Sequence, residues 1–180
     1  MSTWATSEAA GLAARLRSEF DRGFAAPRAP ATAAGVDFLA IALAGESYAL
    51  PLAAVAALHT DRKILTLPSA APELLGLCVL GGVIVPVYDL RLLLGHAAGS
   101  TPRWTLAVAG QPLALAFDAF EGQLRVPRTA VSSGAASDAA HVHVSGAVQS
   151  PACVRRIIDV PSIVSRIRRL VATSTPDKER

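Results

Sequence analysis

Two apolar runs meeting at Gly81-Gly82 constrain this chain more than any other feature. Residues 74–80 lead in and residues 83–88 lead out. A two-residue primed turn needs φ > 0 at its centre, which Gly supplies without steric cost, so the stretch predicts a β-hairpin. Pro86 interrupts the second run and has no N–H for a ladder, so this strand lies at an edge, carries a bulge or bends there. Asp89 closes the strand, and residues 90–94 read as a short helical turn stopped by Gly95.

The same stretch is the longest apolar segment, but Gly81, Gly82 and Pro86 break it, so it is no membrane span. The chain has 180 residues, 52% hydrophobic and 17% charged, which allows one well-packed domain with an extension. A net charge of +3 does not demand a polyanionic partner, and an aromatic content of 5% argues against base-stacking platforms for nucleic acid. Cys78 and Cys153 both sit in apolar, strand-like runs and form neither a Cys-x-x-Cys pair nor a secreted disulfide framework. No basic n-region followed by an apolar h-region opens the sequence, so the expected location is cytoplasmic.

Residues 1–26 predict a helix, with Leu12, Leu16, Phe20 and Phe24 forming an apolar stripe against a charged back. Residues 25–35 are an Ala/Pro-rich linker. From Val36 the pattern turns β. Strands are expected at 38–43, 48–50, 64–67, 104–108, 113–117, 124–126, 141–144 and 154–158, besides the Gly-Gly hairpin. Residues 51–58 carry a helix-like or bulged spacing of Leu52, Val55 and Leu58, and residues 129–140 read as a surface loop. Residues 161–171 predict a helix, with Pro161 in its first turn and Ile163, Val164, Ile167, Leu170 and Val171 inward. Short strands at short intervals predict an all-β barrel or pair of barrels, with a single sandwich as the competitor. The expected organisation is 1–35 helix and linker, 36–171 domain and 172–180 polar tail.

The search for chemistry yields little. His141 and His143 would project to one face of a strand and offer two metal ligands, but no acidic ligand follows before Asp159, so two solvent-facing imidazoles are the preferred reading. Asp89, Asp118 and Asp159 each follow an apolar strand and read as turn or cap residues accepting backbone N–H groups. Gly81-Gly82 lacks a following Lys-Ser/Thr and is no phosphate loop. Arg155, Arg156, Arg166, Arg168 and Arg169 form a modest basic cluster, read as an ordinary solvated face. No catalytic residues and no cofactor are expected.

A set of motifs in one order resembles the CheW-like coupling proteins of bacterial chemosensory arrays. Residues 37–43 followed by 46–52 look like the family's opening hairpin, and Val55-Ala56-Ala57-Leu58 like its "Val-x-Glu-Ile" element. Leu67-Pro68 and residues 71–76 look like the lead-in to its signature, and residues 83–90 like the signature strand. Residues 113–120, with Asp118 inside, look like its "Val-Asp-x-Val" strand, and Gly146 with residues 154–163 like the closing strand and helix. The resemblance implies two five-stranded SH3-like barrels side by side. It implies a non-enzymatic adaptor that binds the regulatory domain of a histidine kinase (a domain of the same fold) and the cytoplasmic tip of chemoreceptors, in a groove between the barrels. Neither nucleic-acid binding nor membrane insertion is implied. Leu52, Val55, Ala114, Phe120 and Gln123 would line or border the partner surfaces, together with Ala57 and the hairpin-tip residues Leu80 and Gly81.

At the tip, where the family carries "Asn-Leu-Arg-Gly", this chain has Val79-Leu80-Gly81-Gly82, so the receptor-contact Arg has become Gly81. The Glu of "Val-x-Glu-Ile" has become Ala57. Neither replacement offers a charge, so partner binding is expected to be weakened or altered. Two alternatives stay open: an accessory receptor-binding protein that has lost kinase coupling, and a metal-dependent barrel enzyme using His141 and His143.

Overall fold

The computed structural model describes residues 35–99, 101–134, 143–150 and 153–174. The expected N-terminal helix and linker and His141 lie outside the described residues. β1 (Gly35–Leu43) and β2 (Glu46–Pro51) form a hairpin, and a 3-10 turn (Leu52–Ala54) leads to β3 (Val55–Thr60). β4 (Leu74–Leu80) and β5 (Val83–Asp89) form the Gly-Gly hairpin, followed by the one-turn helix α1 (Leu90–Leu93). β6 (Trp104–Val108) pairs with β7 (Ala114–Phe117), and β8 (Ala119–Pro127) follows after Asp118 alone. A 3-10 turn (Arg128–Ala130), β9 (Val131–Ser133), β10 (Val144–Gln149), β11 (Val154–Ile158) and α2 (Val160–Ser174) complete the order.

The strands make two sheets, β8-β1-β2-β11-β10-β9 and β3-β6-β7-β5-β4. Sequence reading expects five strands in each. The first has six because short β9, inside the expected loop, pairs with β10 through Val131, Ser132 and Ser133.

Both faces of each sheet bury apolar side chains, and strand alternation sorts them. Leu39, Ile41, Tyr48, Leu50 and Ile158 from the first sheet meet Leu106, Leu115 and Phe117 from the second in one shared core, which Ile163, Val164 and Ile167 of α2 cover. Ala114, Ala116, Cys78, Val85 and Val87 point the other way, into a cluster built by the second sheet and its flanking residues. Phe38, Ala49, Val126, Val148 and Ile157 do the same for the first sheet. A flat sheet cannot cluster its own outer face. β8 and β11 are first and fourth in their sheet, about 14 Å apart if it were flat, yet Arg155 pairs with Glu121 between them. The sheet therefore curls.

The two sheets repeat one pairing plan. Each holds two antiparallel hairpins joined by a parallel contact: β1-β2 to β11-β10, and β6-β7 to β5-β4. β8 flanks the first and β3 the second. In both, a register shift precedes a glycine, paired as Gly76↔Val87 and Gly146↔Ile157. Each glycine lies thirteen residues before an Asp that opens a helix, Asp89 or Asp159. Asp89 accepts from Arg91 N, and Asp159 from Ser162 N, which is the cap chemistry expected of both.

Gly81 and Gly82 hold φ +57 and +82, the primed turn the sequence demands. Pro86 is accommodated because the parallel pairing of β5 with β7 begins only at Val87↔Ala114. Up to Pro86 the strand has only its hairpin partner. Other expectations are corrected. At 51–58 the helix-like alternative gives way to the bulged one: a 3-10 turn is followed by β3, with a register shift between Val55 and Ala57. The expected strand at 64–67 shrinks to one bridge, Leu65↔Leu77. His143 lies in a turn at φ +69 before β10, so it is not a strand residue.

Candidate partner-binding surfaces

The outer face of the β4–β5 hairpin leaves large apolar side chains in water. On it Leu65 is 63% exposed, Val79 56% and Ile84 67%, while Val83, paired with inward Leu80, is exposed at the hairpin end on the opposite face. β4 is apolar at both parities, but only one parity, Cys78 and Leu80, faces the sheet's own core. The surplus is the surface. It borders a depression of about 520 Å³ lined by Arg62, Lys63, Leu65, Leu77, Cys78, Val79 and Ile84. Burial pushes the Cys78 thiol up, against the opposing effect of Arg62, which keeps it protonated and inert.

A second concavity of about 570 Å³ lies between the sheets. Its walls are Pro51, Ala53 and Ala54 in and beside the 3-10 turn between β2 and β3, Val108, Ala109 and Gln111 at the β6–β7 turn, and Val160, Pro161, Val164, Ser165 and Arg168 on α2. Arg168 donates to Gln111 Oε1 at 2.9 Å, tying the helix to the turn. α2 is fixed further by Arg166, which pairs with buried Glu73 at 2.9 Å. Burial works to raise the Glu73 carboxyl, but its hydrogen bond and charge contact with Arg166 bring it below the ordinary glutamate value.

The residues singled out from sequence do not form one patch. Leu52, in the 3-10 turn after β2, and Val55, at the start of β3, are half-buried and pack on the shared core. Ala57 is half-buried opposite Ala107. Phe120 is half-buried with its ring 5.3 Å from that of Trp104, joining the two sheets. Gln123 is exposed on β8 opposite Leu39. Gly81 is exposed at the hairpin tip, with open space around it. Ala114 and Leu80 are buried in the second sheet's own core, so they present no free side chain to a partner and act through packing. The exposed Leu65, Val83 and Ile84 and the groove wall on α2 went unremarked in the sequence. Apolar residues at both parities of the hairpin strands were the available signal for Val83 and Ile84.

His143 does not present itself as a metal ligand. Its Nδ1 lies 2.6 Å from Ser162 Oγ, and its Nε2 is buried. Burial, and then the positive charge of Arg166, holds its pKa below the ordinary histidine value, with Asp159 opposing and Arg169 adding. Among the described residues no three His, Cys, Asp or Glu side chains group closely enough to hold a metal ion. No helix among them is long and apolar enough to cross a membrane.

Comparison with known proteins follows the same lines. The CheW-like domain family matches residues 37–168. Among solved structures, the scaffolding protein TtCheW from Thermoanaerobacter tengcongensis superposes with a TM-score of 0.62 at 22% identity, over 68% of this chain and 88% of that chain. At that identity the likeness shows the fold. No curated protein matches the sequence. The family match spans most of the chain, which therefore belongs to the CheW-like domain family, a family of non-enzymatic scaffolds.

Proposed function

We propose that this protein is an adaptor of a bacterial chemosensory array, working in the cytoplasm and joining chemoreceptor cytoplasmic tips to the regulatory domain of a histidine kinase. The two curled sheets are read as the family's two SH3-like barrels, residues 36–171 as the functional domain, residues 1–35 as a helical extension with its linker, and 172–180 as a tail. The observation that carries the proposal is the apolar face of the β4–β5 hairpin: Leu65, Val79 and Ile84, exposed together beside Arg62 and Lys63. Contiguous apolar surface of this kind marks interaction sites.

A broad apolar sheet face suits the face of another folded domain, which favours the kinase regulatory domain there. The inter-sheet groove suits a helical segment laid into it, which favours the receptor tip. Buried at an interface, a side chain the size of Ile84 contributes about 1.5–3 kcal/mol. Ile84→Asp is therefore expected to weaken the kinase-domain complex at least tenfold in calorimetric titration while leaving the thermal midpoint nearly unchanged. Undiminished affinity would sink the assignment of this face.

A further inference from the structure

We infer that Asp118 and Arg91, together with the His96–Tyr48 contact, form a lock that sets the two sheets relative to each other and so fixes the width of the groove between them.

The chain passes between the sheets at two places. The first is the 3-10 turn Leu52–Ala54, whose Ala54 carbonyl accepts from Ala109 N at 2.9 Å. The second is Asp118 alone, between β7 in one sheet and β8 in the other. A single residue has no room for a turn of its own, and here the side chain supplies the anchorage. Asp118 Oδ2 accepts from Ala44 N at 3.1 Å, in the β1–β2 turn of the first sheet. Its Oδ1 lies 3.2 Å from Arg91 Nη1, on the helix that follows β5 of the second sheet. Arg91 is buried and also grips Asp89 through Nη2 at 3.1 Å, so one planar guanidinium spans two carboxylates from two elements.

The tail of α1 makes a second connection. His96 N donates to Arg91 O at 2.9 Å, and His96 Nε2 lies 2.8 Å from the hydroxyl of Tyr48 on β2. That hydroxyl donates to Glu46 at 3.1 Å, and Glu46 pairs with Arg156 on β11. The helix and its tail thus reach the first sheet at two points, through the Arg91–Asp118 ion pair, whose other carboxylate oxygen takes the Ala44 N–H, and through the His96–Tyr48 hydrogen bond. Buried ion pairs often contribute little net stability, and fixing one geometry is their best-attested use. The groove takes its walls from Pro51 in one sheet and Val108 in the other, so a shift between sheets changes its width.

The test places spin labels at Val79→Cys and Val154→Cys, one exposed site on each sheet, in the full chain carrying Cys78→Ala and Cys153→Ser. Pulsed dipolar spectroscopy then compares this parent with Asp118→Asn, Tyr48→Phe and the pair combined. The parent should give one narrow distance. The combined variant, with its circular dichroism unchanged, should give a broadened or displaced one. An unaltered distribution overturns the lock. If Asp118→Asn does not fold, Tyr48→Phe alone must broaden the distribution, and failure to do so overturns it equally.

The binding arm rests on the receptor reading of the groove. There a receptor cytoplasmic fragment should bind the combined variant at least tenfold more weakly than the parent, and equal affinity refutes the control of groove width. A parent that binds no receptor refutes the receptor reading, while the distance measurement still decides the lock.

Discussion

Replacing Gly76 by Ala imposes two separate costs, and the protein contains a control for each. Gly76 has φ +145, and a Cβ there would fall 2.1 Å from Leu65 O, 2.7 Å from Leu65 C and 2.9 Å from Thr66 Cα. All three are backbone atoms, held by the reciprocal bonds Leu65 N to Leu77 O at 2.8 Å and Leu77 N to Leu65 O at 2.9 Å. Gly45 has φ +81 with nothing within 4 Å of the added Cβ, so Gly45→Ala reports the conformational cost alone, about 1–2 kcal/mol. Gly146 has no such φ, but its Cβ would meet Ser132 O at 2.2 Å, so Gly146→Ala reports the steric cost alone, about 1–3 kcal/mol. Gly76→Ala should cost roughly their sum, about 3 kcal/mol or more. For a chain of this size that lowers the melting midpoint by about 6–12 °C. Urea and thermal unfolding of the three variants, followed by circular dichroism, measure it. If Gly76→Ala costs no more than Gly45→Ala, the segment at Leu65 yields freely, and the close approach argued here does not constrain the fold.

Other expectations concern charge. His143 has a depressed pKa in the folded state, so as pH falls below the unfolded value of about 6.5 the unfolded chain takes up a proton that the folded one resists. Stability is complete above that pH, declines below it and levels off under the folded pKa. In His143→Gln the decline over that window should shrink, and an unchanged stability-versus-pH curve would refute the assignment. Glu73 has the same sign in a more acid window: its lowered pKa contributes stability above about pH 4.5 that is lost as pH falls through the folded value. Arg166→Gln leaves that buried carboxylate without its cation and should cost about 1–3 kcal/mol at pH 7, less at pH 4; equal losses at both pH values would contradict the pairing. Gly81→Arg has open space for the new side chain and only a φ of +57 to oppose it, about 1 kcal/mol. It should strengthen receptor-fragment binding about tenfold or more, and unchanged affinity would end the explanation by loss of Arg.

Much of the fold was legible where local chemistry alone decides it. Gly81-Gly82, Asp89 and Pro161 punctuate the chain by backbone rules, and the hairpins and both helices described here follow from them. The spacing of Leu52, Val55 and Leu58 left helix and bulge both open because a 3-10 turn and a register shift mimic a helix: the turn advances the chain and the bulge inserts a residue. β9 was missed because Val131-Ser132-Ser133 has no pattern of its own and is strand only through β10. Asp118 read correctly as an acceptor of a backbone N–H, but its pairing with Arg91 depends on the crossing between sheets, which no local pattern encodes. The candidate site was less legible. Burial of Ala114 and Leu80 depends on which strand parity faces the second sheet's own core, and a run apolar at both parities does not say.

The adaptor reading is tested most directly by mixing the purified full-length protein with a chemosensory kinase regulatory domain and, separately, a receptor cytoplasmic fragment from the same cell, measuring each affinity, then kinase activity in the three-way mixture. The account predicts measurable binding to both, tighter to the kinase domain than to the receptor because Gly81 has replaced the contact Arg, with kinase activity raised only when all three are present. Binding to neither would contradict it.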